Sequence, residues 1–181
     1  MRRPALAALA AASICATPQA QPALSVCEQA GAEAEQALGV PAGLLIAIGR
    51  VESGRWDAAL GRAVLWPWAT NAEGAGKLHD TKDSAIEAVR QARAAGVSSI
   101  DVGCFQVNLA HHPGAFRDLD QAFDPKANAL YAAKLLANAR LRLGNWDQAV
   151  EHYHSANPAR GLPYGLAVRG RWTPPGAARS A

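Results

Sequence analysis

Gly43 to Gly54 read GLLIAIGRVESG. From Gly43 to Val51 the stretch is apolar on nearly every side of a helix, which is the pattern of a buried central helix. Pro41 suits its first turn, and Gly54 is placed to end it. A helix that is apolar all round must be wrapped by other elements, so the flanking sequence should supply amphipathic helices. Its last residues carry a carboxylate, Glu52, at the edge of that apolar environment.

The flanks fit that expectation. Ser25 to Leu38 spaces Val26, Ala30, Ala34 and Leu38 on one face, as an amphipathic helix does. Asp80 or Thr81 caps a helix running to about Ala95. Asp124-Pro125 opens another that stops at Gly144, with Ala127, Leu130, Tyr131, Leu135 and Ala139 on its core face. Asn145, with Gln148 three residues on, caps a helix through His154. A last helical segment is predicted over Pro163 to Arg169, and 173–181 should be a loose tail. Val64 to Thr70 (VLWPWAT) is aromatic and β-branched, with a proline that fits an edge strand. Lys77-Leu78-His79 returns from it, and Val97 to Val102 is extended. The expectation is α+β, predominantly α-helical, as one domain over 24–172 with a small β excursion around residues 64–80 and 97–102.

Half of the 181 residues are hydrophobic and 18% are charged, which excludes a disordered chain. The formal charge is +3, from 18 Lys and Arg against 15 Asp and Glu. Arg2 and Arg3 lie in a stretch, MRRPALAALAAASICATPQAQPA, that orders a basic start, an apolar run and small residues as a secretory signal does. We therefore expect a signal over 1–20, with cleavage after Ala20 to Ala23 and a periplasmic or secreted product. Its apolar run is too short for a membrane span of about 20 residues, and no later run reaches that length. Without the two arginines the charge is +1, so no nucleic-acid partner is expected. Export leaves Cys27 and Cys104 as an even pair in an oxidising space, where a bridge would contribute about 4 kcal/mol by loop closure. Two buried free thiols are the alternative.

Glu52 is the first candidate for chemistry. Apolar neighbours disfavour its ionised form, and the carbonyl end of a helix disfavours an anion again. A carboxyl that keeps its proton near neutrality can act as a general acid toward a glycosidic oxygen. The alternatives are a Glu that reaches solvent or pairs with Arg55. Trp66 and Trp68 flank a proline, so both rings could face one side as a sugar platform, or pack as core. In the run D-V-G-C-F-Q-V-N, Gln106 and Asn108 are neutral groups able to bind amides and hydroxyls. Tyr153-His154-Ser155 ends a predicted helix. His111, His112, His152 and His154 lack metal-ligand spacing, so no metal is expected.

Taken in order, these segments resemble the soluble lytic transglycosylases, a peptidoglycan-cleaving branch of the lysozyme-like fold. Glu52-Ser53 matches the family's Glu-Ser at a helix end. Gly103-Cys104-Phe105-Gln106 keeps the glycine and glutamine of Gly-Leu-Met-Gln. Tyr153-His154-Ser155 keeps the tyrosine of Ala-Tyr-Asn but has His in place of Asn. W-P-W, D-V-G-C-F-Q-V-N, H-H, D-P-x-x-N and Y-H-S also follow the order of one subgroup. The resemblance implies a lysozyme-like domain whose substrate is the peptidoglycan glycan strand, without a cofactor.

It further implies that Glu52 acts as acid and then base, so that the muramic 6-hydroxyl closes a 1,6-anhydro end. The substrate-binding residues would be Ser53, Trp66, Trp68, Gln106, Asn108, Tyr153 and His154. No second carboxylate stands in a setting like that of Glu52: Asp57 follows a turn, and Asp101 lies three residues before Cys104. A lysozyme-type hydrolase and a non-catalytic glycan-binding accessory of a secretion, conjugation or flagellar apparatus are the competing readings.

Overall fold

The computed structural model of the chain describes residues 25–174. The expected leader over 1–20, and 175–181 of the expected tail, lie outside the described residues. The fold is α+β and predominantly helical. Among the described residues no helix is long and apolar enough to cross a membrane.

Helix α1 (Val26–Leu38) starts at Ser25, whose hydroxyl accepts from the Glu28 N–H while the Glu28 carboxylate accepts from the Ser25 N–H. Helix α2 (Leu44–Glu52) is buried from Leu44 through Gly49, as its all-round apolar sequence requires. Its free N–H groups are met by a carboxylate from α1. Glu35, itself buried, accepts from Gly43 and Leu45 at 2.7 Å and from Ile46 at 3.2 Å. An acid at the positive end of a helix is stabilising on both counts. Any side chain at Gly49 would overlap Leu65 and Phe105, so glycine lets those two residues close onto the helix.

After α2 come the hairpin β1 (Gly54–Asp57) and β2 (Arg62–Leu65), then β3 (Ala69–Ala72) and β4 (Ala75–Leu78). Helix α3 (Lys82–Ala94) leads to β5 (Ile100–Val102) and β6 (Val107–Asn108). The second sheet is antiparallel in the order β4-β3-β5-β6. Four helices complete the chain: α4 (Leu119–Ala122), α5 (Pro125–Leu143), α6 (Trp146–His154) and α7 (Pro158–Arg169). Asp124 and Asn145 cap α5 and α6 through their side chains, as their sequences predict.

The main core gathers α1, α2, α5, α6 and α7 with Phe105, and a smaller one joins α3 to β5 and Phe123. Cys27 on α1 is bonded to Cys104 across a Cα–Cα separation of 5.7 Å, so the first helix is tied to the loop before Gln106.

Four local expectations are corrected. Gly54 does not simply end α2 but opens β1, and Asp57 closes the hairpin by accepting from Ala59 and Leu60. Trp66-Pro67-Trp68 is not a strand; it connects the two sheets, because Pro67 has no N–H to give a ladder. The extended stretch before Val102 narrows to Ile100–Val102. The last helix begins at Pro158, where Asn157 caps it, and Pro163 lies inside it rather than at its start.

Candidate active site

A cleft of about 480 Å³ opens where the helical part meets the second sheet. Glu52 reaches it from the end of α2, Asn71 and Asp101 from the paired strands β3 and β5, and Gln106 and Asn108 from β6 and the turn before it. Tyr153 and His154 close it from α6, and Arg160 from α7. Of the expected site residues, the structure brings Glu52, Gln106, Asn108, Tyr153 and His154 together here.

It does not bring Ser53, Trp66 or Trp68 to the cleft wall. Ser53 is buried and donates to the Cys104 carbonyl at 2.6 Å, which fixes the end of α2 to the disulfide loop. The two tryptophan rings stand edge to face at 83°, so they form no flat platform. Trp66 donates to the His79 carbonyl and lies under the Arg55 guanidinium, 3.5 Å from its ring centre. Trp68 packs on the smaller core. Both are half-buried.

Glu52 is held by a residue the sequence reading missed. Tyr164, buried on α7, donates its hydroxyl to Glu52 Oε1 at 2.6 Å. Burial pushes the Glu52 carboxyl up to about 7, the Tyr164 hydrogen bond works against that shift, and the Asp101 charge adds to it. Arg50 does not oppose the shift, since it turns away to Glu28. Arg55, stacked on Trp66, is likewise occupied elsewhere. Tyr164 carries no local signal, because it is 112 residues from its partner.

Asp101 also belongs to the cleft, contrary to its dismissal from sequence. Burial raises its pKa, and a 2.7 Å hydrogen bond from Asn108 opposes that. Asn108 is largely spent on the protein: its amide also donates to Ser99, and its oxygen accepts from Ala110 and His111. Gln106 donates to the carbonyls of Ala69 and Gly103. Tyr153 donates to the Phe105 carbonyl at 2.7 Å, so α6 holds the turn that presents Gln106.

Backbone strain concentrates at the same place. Glu73 and Gln106 have φ of 50° and 48°. Among the described residues they are the non-glycines in the left-handed region, and both line the cleft. Such conformations persist where surrounding structure over-determines them, as at ligand sites. Gly103, at φ 81°, precedes Gln106 in its turn, with no room for a Cβ beside Asn128.

A carboxyl with a pKa of about 7, steadied from behind by a buried hydroxyl and facing a cleft with neutral amides, can protonate and hold a sugar polymer. In comparison with known families, the model of the Transglycosylase SLT domain matches residues 29–159. Among curated proteins, and among solved structures, none matches the chain.

Proposed function

Because the chain belongs to the transglycosylase SLT domain family, whose members are lytic transglycosylases acting on peptidoglycan, we propose that Glu52 is its general acid and base. The reading is carried by one observation: Glu52 stands in the cleft with its pKa near neutrality, hydrogen-bonded to Tyr164. Its proton goes to the oxygen linking N-acetylmuramic acid to N-acetylglucosamine as the bond to the anomeric carbon breaks. The muramic 6-hydroxyl then closes on that carbon, and the Glu52 carboxylate takes the hydroxyl proton. The product carries a 1,6-anhydro end, no water is consumed, and Glu52 is protonated again.

Gln106 and Tyr153 fit the role of sugar-side supports, since Tyr153 steadies the turn that carries Gln106. The disulfide supports a periplasmic or secreted location, because such bonds persist in oxidising compartments.

A lysozyme-type hydrolase is the second reading, favoured by Asp101 in the same cleft. Retaining and inverting hydrolases use a second carboxylate near the acid. Mass spectrometry of digested sacculi separates the two. Anhydro ends are one water lighter than reducing ends, and a digest made of reducing ends would overturn the transglycosylase mechanism. Glu52→Gln should release neither product; release at the parent rate would remove Glu52 from the chemistry.

A further inference from the structure

His154 lies flat on the ring of Tyr164, with centroids 4.7 Å apart and planes 8° from parallel. Tyr164 in turn donates to Glu52 at 2.6 Å. The stack therefore ends on the carboxyl to which the proposed function assigns the chemistry. Tyr164 is a buried member of the main core, whereas His154 is exposed on the cleft wall. The imidazole thus covers one face of the Tyr164 ring.

We propose that His154 is a positioning residue, holding the Tyr164 ring so that its hydroxyl stays on Glu52. The inference rests on the reading of Glu52 as the acid. A phenol hydroxyl sits at the far end of a rigid ring, so a small tilt displaces it, and misplacement by about 1 Å can cost ~100-fold in rate. A near-parallel partner restrains that tilt without touching the substrate's reacting atoms.

The charges around the stack agree with a neutral imidazole. Partial desolvation of the ring against its neighbours and Arg160 on α7 lower the His154 pKa, and Asp101 on β5 opposes them. The groups facing Glu52 are Tyr164 on α7, Tyr153 on α6 and Asp101 on β5. Since the Tyr164 hydrogen bond holds the Glu52 pKa down, loosening it raises that pKa. His154→Ala should then shift the basic limb of the kcat profile to higher pH while lowering kcat.

The test is digestion of purified sacculi across pH by the parent, His154→Ala, His154→Phe and Glu52→Gln. Phenylalanine keeps a flat ring and removes the ring nitrogens. His154→Ala should lower kcat about tenfold with KM within about twofold, and Phe should restore most of that loss. A basic limb that moves to higher pH in the Ala variant and returns in the Phe variant supports the stack. If Phe fails as Ala does and both raise KM, His154 is a sugar contact and the proposal is overturned. An unmoved basic limb in the Ala variant also overturns it. An active Glu52→Gln would take away the Glu52 reading and this proposal with it, whereas an inactive one leaves the His154 outcomes to decide.

Discussion

Glu28, with a fully buried side chain, receives the Arg62 guanidinium in two hydrogen bonds of 2.8 and 2.9 Å. Arg50 adds a third contact at 3.2 Å, so one carboxylate joins α1, α2 and β2. Burial alone would raise the Glu28 pKa, but the hydrogen bonds from Arg62, Ser25 and Arg50 hold it below its ordinary value of 4.5. A lowered carboxylate pKa stabilises the fold above the unfolded value and loses that effect as pH falls through the folded one. Glu28→Gln should cost about 3–5 kcal/mol near neutral pH, since it leaves two arginines facing a neutral group. Urea unfolding should show the gap to the parent narrowing as pH falls below 4.5, because the parent then loses the same charge.

The bond between Cys27 and Cys104 closes 77 residues of chain. Replacing both with Ala should lower stability by about 4 kcal/mol, mainly by freeing the unfolded chain. Intact mass should find the untreated protein two hydrogens lighter than its reduced form, and equal masses would contradict the bridge.

Asn128 organises the turn beneath Gln106. Its oxygen accepts from the Phe105 N–H, and its amide donates to the carbonyls of Val102 and Ala122, each at 3.0 Å. Asn128→Ala should cost about 1–3 kcal/mol for each backbone group it strands. Gly103→Ala should be comparably damaging, because a Cβ there would lie 2.7 Å from Asn128 Cγ at a φ of 81°. Gly114→Ala, with nothing within 4 Å, is the control expected to melt with the parent.

Glu52 should show its raised pKa twice. A general acid must be protonated, so activity should fall as pH rises through about 7. A carboxyl raised in the folded state also opposes folding once it ionises, so stability should decline between the unfolded value of 4.5 and about 7. The loss should reach up to about 3 kcal/mol above pH 8, at 1.36 kcal/mol for each pKa unit. Glu52→Gln cannot ionise and can still accept from Tyr164, so it should be inactive yet melt above the parent at pH 8. A variant less stable than the parent there would contradict the buried acid.

What was legible in the sequence was local. Asp124 and Asn145 mark helix starts because a cap is a short-range hydrogen bond, and each does so in the structure; of Asp80 and Thr81, it is Thr81 that caps α3. The apolar run before Glu52 announces a buried helix for the same reason. The hairpin after Gly54 was illegible, since Arg55 and Trp56 form a strand by pairing with Val64 and Ala63 rather than by alternation. The W-x-W spacing suggested one face, but Pro67 ends pairing there and sends the two rings to different partners. Tyr164 meets Glu52, and Asp101 enters the cleft, only through packing between distant segments, which no spacing rule expresses.

The dependence of Glu52 on Tyr164, 112 residues later, also sets an order of events during synthesis. The acid emerges early, on a segment that has neither its hydroxyl partner nor a closed cleft. The hydroxyl arrives only with α7, and Trp172 fastens that end to the start of α2 through a 3.0 Å hydrogen bond to the Ala42 carbonyl. A partly made chain thus carries the acid but not the setting that arms it. On the reading of Glu52 as the acid, a chain truncated before Pro158 lacks Tyr164 and should leave purified sacculi uncut.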